Sequence, residues 1–299
     1  MLEQLAGLPP LGLGLGIDVH SAQPDWLALL EHAGVEFDYY EVYTRGEAGA
    51  ARAVREAARA VEARTGRPFG LLYHHEGLDP AYPGGAGDDA VAAAAANLVE
   101  LDAPWCVEEL AYRQVDGRYL DFFMPALLTH ESVDVIVENL SRMAPRIGRP
   151  IVPENPPYVV AVGGLHVLEL LGEVGERLDC GVVLDLGHLL SYQIAMGLDP
   201  LARIEALPLE RVVEVHLAGA RIDGRSGVRV YEDLHGAGDI LAEPIEMLLE
   251  LAPRLQNLKC VTIEVEDASD ARALDQARQV SELAPVAELR ARARATPEA

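Results

Sequence analysis

The side chains able to do chemistry in this 299-residue chain recur at one kind of place. His74-His75, Glu108-Glu109, Glu154-Asn155, Asp185 with His188 three residues on, His216, and Glu264 with Glu266 each close a short apolar run, and Asp233-x-His235 lies just before the last run. One imidazole or carboxylate at such a position is ordinary. So many in one low-dielectric place would repel and desolvate one another. Divalent cations remove that cost. The donors are nitrogen and oxygen without sulfur, a set suited to Fe, Mn or Zn rather than to Cu(I) or an iron–sulfur cluster. Four histidines (His74, His188, His216, His235) and five carboxylates (Glu109, Glu154, Asp185, Asp233, Glu264) exceed one coordination shell, so two or three ions are expected.

Each residue alone has a plainer reading. Of His74 and His75 only one can face inward, and the strand end favours His74. Asp185 could cap a turn, His188 could lie outside a helix, Asp233-x-His235 could be an exposed turn, and Glu109 could start a helix. His20 falls at the end of the first run, beside the others. His32, His130 and His166 fall on helices or loops and are read as surface groups. Joint placement on successive strand ends is what points to a metal site.

The elements that would position these residues alternate. Eight apolar runs read as buried parallel strands: Leu11–Ile17, Phe37–Tyr43, Phe69–Tyr73, Pro104–Val107, Pro150–Pro153, Gly181–Leu184, Arg211–Val215 and Cys260–Ile263. Between them lie helical stretches: Pro24–Ala33, Glu47–Arg64, Asp88–Leu101, Glu131–Ile147, Leu165–Arg177, a shorter one around Pro200–Leu207, Ile240–Leu251 and Ser269–Leu283. This predicts an α/β fold, a single-domain (β/α)8 TIM barrel over residues 1–285 with a C-terminal tail over 286–299. A barrel turns all its strand ends to one mouth, where such folds keep their sites. Gly12-x-Gly14-x-Gly16 is no phosphate-binding turn; its period of two places the glycines within a strand, where neighbours can approach closely.

Composition narrows the partners. Twenty-four basic against forty-eight acidic residues give a formal charge of −24, which argues against a phosphate backbone or an anionic membrane. Arg290, Arg292 and Arg294 form the one basic cluster and read as a frayed helix end. Cys106, Cys180 and Cys260 are scattered and read as buried small hydrophobes. The expectation is a cytoplasmic protein without signal peptide or membrane span.

The order of these residues resembles the multinuclear non-heme iron-dependent oxidative enzymes, within the wider xylose isomerase-like barrel superfamily. The resemblance runs from about Gly14 to Glu266. It is carried by Asp38-Tyr39-Tyr40-Glu41-Val42, His74 before Gly77-Leu78, Glu108-Glu109-Leu110-Ala111-Tyr112, Leu127-Leu128-Thr129-His130-Glu131, Pro153-Glu154-Asn155-Pro156-Pro157-Tyr158, Leu184-Asp185-Leu186-Gly187-His188, His216-Leu217-Ala218-Gly219, Asp233-Leu234-His235 and Glu264-Val265-Glu266. It implies two or three irons at the mouth, held by His74, Glu154, Asp185, His188, His216, Asp233, His235 and Glu264. It also implies dioxygen-dependent modification of a residue, often cysteine, in a ribosomally made peptide, with a partner protein that delivers the peptide. This chain departs from the family at Glu109 and Ala220, where histidine is usual, and in the His75-Glu76-Gly77-Leu78-Asp79 loop, where the family is serine-rich. A carboxylate at 109 adds negative charge and lowers the reduction potential of a bound iron, and leaves Zn or Mn as candidates.

The expected catalytic group is Glu154, Asp185, His216 and Glu264. Around it, Glu41, Asn155 and Glu266 are expected to orient ligands, and Tyr158 or Arg45 to contact substrate. Two other readings compete. One is a divalent-metal sugar isomerase or epimerase with Glu154 or Glu264 as base. The other is a catalytically silent metal- or peptide-binding barrel.

Overall fold

The computed structural model describes residues 2–44, 50–224, 227 and 229–295. Its strands are β1 (Gly12–Asp18), β2 (Tyr39–Tyr43), β3 (Gly70–His74), β4 (Cys106–Glu109), β5 (Ala111–Val115), β6 (Arg118–Pro125), β7 (Ile151–Glu154), β8 (Val182–Asp185), β9 (Val212–Asp223), β10 (Val230–Asp233), β11 (Asp239–Ile240) and β12 (Cys260–Glu264). Eight of them pair in parallel in the order β1-β2-β3-β4-β7-β8-β9-β12, and β12 returns to β1, so the sheet closes on itself. Each expected strand overlaps one of these eight. The fold is a closed (β/α)8 barrel.

Helices α1 (Leu2–Ala6), α2 (Trp26–Leu29), α3 (Ala50–Thr65), α4 (Asp88–Leu101), α5 (His130–Ile147), α6 (Val167–Leu178), α7 (Leu186–Met196), α8 (Ala242–Leu251), α9 (Asp270–Ser281) and α10 (Ala284–Ala295) complete the order. Among the described residues no helix is long and apolar enough to cross a membrane.

Three local expectations are corrected. The sixth helix is α7, which begins at Leu186 directly after β8; Pro200–Leu207 holds only a short 3-10 turn at Ile204–Ala206. Asp185 is the reason, because its side chain accepts from the His188 backbone N–H and starts the helix at once. Secondly, the Arg290 and Arg294 region is no frayed end. Both guanidiniums grip Asp38, at 2.7 and 2.9 Å, and Arg290 is buried. Thirdly, His166 is buried rather than on the surface; it caps α6 in a reciprocal capping box with Glu169.

The inside of the barrel is layered by the period of two along each strand. At the base lie Leu5, Leu72, Trp105, Val107, Val152, Val183, Val213 and Cys260, closed from below by α1. Lys259 secures that helix by donating to Ala6 O and Leu8 O. Two residues further along the same strand faces come His74, Glu109, Glu154 and Asp185. The glycines of β1 are the gap in this wall. A Cβ at Gly14 would stand 2.2 Å from the Tyr39 ring, and one at Gly16 would stand 2.9 Å from Tyr43. Both aromatic rings therefore cross the barrel where β1 has no side chains.

Two additions had no counterpart in the sequence reading. The antiparallel hairpin β5–β6 follows β4. An antiparallel extension of β9 pairs with β10 and β11, setting Asp233 opposite Ala220.

Candidate metal centre at the barrel mouth

Glu154, at the end of β7, is the hub. Its Oε2 lies 3.1 Å from His74 Nε2, and its Oε1 lies 3.4 Å from both His188 Nδ1 and His216 Nδ1. His216 Nδ1 is also 3.4 Å from Glu264 Oε1. Among the described residues, two buried donor groups include Glu154, each with its ligand atoms within 4.8 Å of one another: His74, Glu154 and His216; and Glu154, Asp185, His216 and Glu264. Glu154 and His216 belong to both, and His216 also belongs to a buried group with Glu41 and Glu214, which lie at its Nε2.

Another cluster lies nearer solvent. His188 Nε2 is 3.1 Å and His235 Nε2 3.5 Å from the same Asp233 Oδ2. His188 Nδ1 is 2.9 Å from Asn155 O, which commits that nitrogen to donation and leaves Nε2 for Asp233 and a ligand. His235 adopts φ +43, in the left-handed region, and its backbone lies on Gly219, where a Cβ would stand 2.2 Å from His235 O. Gly219 of the His-Leu-Ala-Gly stretch is thus the floor on which His235 is set.

The fit to cations rests on orphaned atoms. Among the described residues, His74 Nδ1, Glu154 Oε1, Asp185 Oδ2, both nitrogens of His216 and Glu264 Oε2 are buried without a hydrogen-bond partner. Buried polar atoms in native proteins are otherwise nearly always satisfied. Here each of these residues brings one ligand atom within 4.8 Å of its group's others, and the donors are nitrogen and oxygen of the kind divalent Fe, Mn or Zn take. The residues fit.

Protonation in the metal-free chain records the same crowding. Burial would lower His74, but Glu109, Glu154 and Glu41 outweigh it and carry it up to about 10. Burial raises Asp185 to about 8, with Glu264 and Glu154 adding and His188 opposing. Burial also disfavours the charged form of Glu154, yet His216, His188 and His74 hold it well below the usual carboxylate range. The imidazoles take the place of cations when none is bound.

The other expected residues separate. Glu109 ends β4 in register with Glu154 and is half-buried; its strongest attractive partner is His74. Glu108 points outward instead, accepting from the backbone N–H groups of Gly77 and Leu78. His75 likewise turns away, 2.6 Å from the Tyr73 hydroxyl. Asn155 stitches β7 to β8 by accepting from Asp185 N and donating to Asp185 O. Glu266 holds His235 Nδ1 at 3.1 Å, and Glu41 lies 3.1 Å from His216 Nε2. Tyr158 does not reach the mouth. It is buried with its hydroxyl on Ala126 O, which removes it from substrate contact. Arg45 lies outside the described residues.

Two residues beside the centre escaped the sequence reading. Tyr43 stacks on His74 and donates to Glu264 Oε1 at 2.7 Å. Tyr231 is buried, with a hydroxyl that has no hydrogen-bond partner among the described residues, and is pushed up by burial and by Asp233, Asp185 and Glu264. The signal for Tyr43 was Gly16; Tyr231 lies on an extension with no apolar periodicity of its own.

Fold and site together define a (β/α)8 barrel with a cluster of metal-type donors at its mouth. Solved structures share that architecture. A xylose isomerase-like TIM barrel/4-hydroxyphenylpyruvate dioxygenase fusion protein superposes with a TM-score of 0.60 at 19% identity, over 97% of this chain and 45% of that one. Endonuclease IV from Thermus thermophilus gives 0.55 at 20% identity, over 90% and 98%. At such identities the likeness is one of fold. The particular family follows from the sequence: residues 14–288 match the family described as RiPP precursor modification enzyme MbnB/TglH/ChrH, and the chain belongs to it. Curated relatives include UPF0276 proteins of Anaeromyxobacter sp. (strain Fw109-5), 32% identical over 42% of this chain and 45% of the relative, and of Bordetella pertussis (strain Tohama I), 32% over 44% and 46%. The chain spans about half the length of these relatives.

Proposed function

We propose that this protein is a non-heme iron-dependent oxidoreductase that uses dioxygen to modify a residue, by preference cysteine, of a ribosomally made peptide in the cytoplasm, with a partner protein delivering the peptide. The family supplies the peptide-modifying class. The observation that carries the metal part is the sharing of Glu154 and His216 between two buried donor groups in which, among the described residues, each member keeps at least one buried atom without a hydrogen-bond partner.

His74, Glu109, Glu154, Asp185, His188, His216, Asp233, His235 and Glu264 would hold two or three iron ions. Bound iron would supply the redox chemistry between dioxygen and the peptide residue. The protein's own part is positioning. Glu154 belongs to both inner donor groups. Asn155 fixes the Asp185 backbone, and Glu266 fixes the His235 ring. The side chain of His235 is 37% exposed, whereas His74, His188 and His216 are buried, so substrate enters from the His235 side. Cys106, Cys180 and Cys260 are free and buried, and none belongs to a donor group, so no protein thiol is required as a nucleophile.

The test is to load the chain anaerobically with ferrous iron and add the short peptide encoded beside its gene, then admit dioxygen and weigh the peptide. An oxidative mass change confined to one residue, absent without iron or dioxygen, is expected. An unchanged peptide that is nevertheless bound tightly would overturn the enzymatic reading in favour of a silent binder.

A further inference from the structure

Beneath the candidate centre lies a polar layer that the proposed ligand set does not use. Glu214 is fully buried and stands two residues before His216 on the same face of β9. Thr262 Oγ1 donates to its Oε1 at 2.7 Å, and Trp105 Nε1 donates to its Oε2 at 2.9 Å. The Tyr39 hydroxyl lies 2.7 Å from Thr262 Oγ1. Since the Thr262 proton is committed to Glu214, Tyr39 must donate to Thr262. The indole can only donate. Every bond therefore points toward Glu214, which receives on both oxygens as a carboxylate does.

What faces this anchored carboxylate from above is His216. Its Nε2 lies 3.5 Å from Glu214 Oε1 and 3.1 Å from Glu41 Oε2, so both neighbours on that edge of the ring are acceptors. Its Nδ1 faces Glu154 and Glu264, where the cation is proposed. Glu41 is the nearer acceptor, but among the described residues neither of its oxygens has a hydrogen-bond partner to fix it, whereas Glu214 is held at both oxygens.

We infer that Glu214, anchored by Trp105 and Thr262, is the positioning residue of His216: it keeps the ring proton on Nε2 and so turns the Nδ1 lone pair to the metal centre. This rests on the metal reading above. The arrangement is the outer-shell partnership in which a carboxylate fixes the tautomer of a ligating histidine. In Glu214→Gln the amide must put its NH2 group on one of the two sides. Trp105 cannot accept, so the NH2 faces Thr262 and His216 and offers Nε2 a donor. That favours the Nδ1-protonated ring, which cannot ligate from the required edge.

The test uses the full chain and Zn2+ as a diamagnetic probe, reading binding by calorimetry and His216 by 15N-histidine NMR. The wild type is expected to bind with Nε2 protonated and Nδ1 shifted by the metal. Glu214→Gln is expected to bind about 10–100-fold more weakly, the usual size of an outer-shell loss, while its metal-free melting point stays near that of the wild type. Should Glu214→Gln fail to fold, Thr262→Val removes one anchor and is expected to show the same loss at smaller size. Zn2+ affinity within twofold of wild type in a folded variant, with Nε2 still protonated, would overturn the role of Glu214. A wild type that binds no Zn2+, Fe2+ or Mn2+ would overturn the metal reading itself, and this inference with it.

Discussion

The ring of Tyr43 lies flat against His74, with centroids 4.4 Å apart and planes inclined by 23°. Its hydroxyl reaches across to Glu264 Oε1 at 2.7 Å, so one side chain of β2 braces donors from β3 and β12. Tyr43→Phe keeps the stack and removes the bond. A buried hydrogen bond to a charged group is worth about 1.5–3 kcal/mol, and denaturant unfolding of the metal-free protein should register a loss in that range. A loss near zero would mean that Glu264 finds another donor.

The glycines of β1 are spacers for the same aromatic wall. In Gly14→Ala the new methyl would meet the Tyr39 ring at 2.2 Å, and overpacking of this kind costs about 1–3 kcal/mol. Gly164, which has open space at its Cβ position, is the control. Thermal unfolding should separate the two variants clearly; equal melting points would contradict the close approach.

His75 predicts an acid limb of stability. Burial, with His74 adding, lowers it from 6.5 to about 4. The folded chain therefore binds fewer protons than the unfolded chain between these values, and stability falls as pH drops from 6.5 toward 4. The loss attributable to this ring reaches about 3 kcal/mol. His75→Gln removes a titrating group, so urea midpoints of the variant should fall less steeply over that window. Parallel slopes for wild type and variant would rule out a buried neutral His75.

Glu109 is the largest single cause that raises His74. The paired form stabilises the metal-free chain below about 6.5 and is lost as pH rises through about 10. In Glu109→Gln the His74 ring should titrate at lower pH by NMR. In the iron-loaded protein, Glu109→His should raise the reduction potential, because a neutral donor replaces a carboxylate. An unchanged His74 titration would place Glu109 outside the centre.

The barrel was legible because eight apolar runs of strand length alternate with helical stretches, and period-two side-chain direction does the rest. That rule alone puts His74, Glu154 and Asp185 on the inner face two residues above Leu72, Val152 and Val183. It also separates His74 from His75 and Glu109 from Glu108. What escaped was set by contacts distant in sequence. Tyr158 looks like a mouth residue, but its hydroxyl finds Ala126 O. Glu214 reads as one more acidic residue until Trp105, 109 positions away, donates to it. The helix at Leu186 is hidden in the sequence because Asp185 both caps it and joins the donor group, and a strand end followed at once by a helix leaves no turn signal.

The most direct test of the account is elemental analysis of the anaerobically purified protein, paired with dioxygen uptake after reduction. Two or three irons per chain, with uptake that depends on them, are predicted. Full loading with zinc or manganese alone and no dioxygen uptake would contradict an oxidative centre and point instead to redox-inert chemistry, such as isomerisation, at the same ligands.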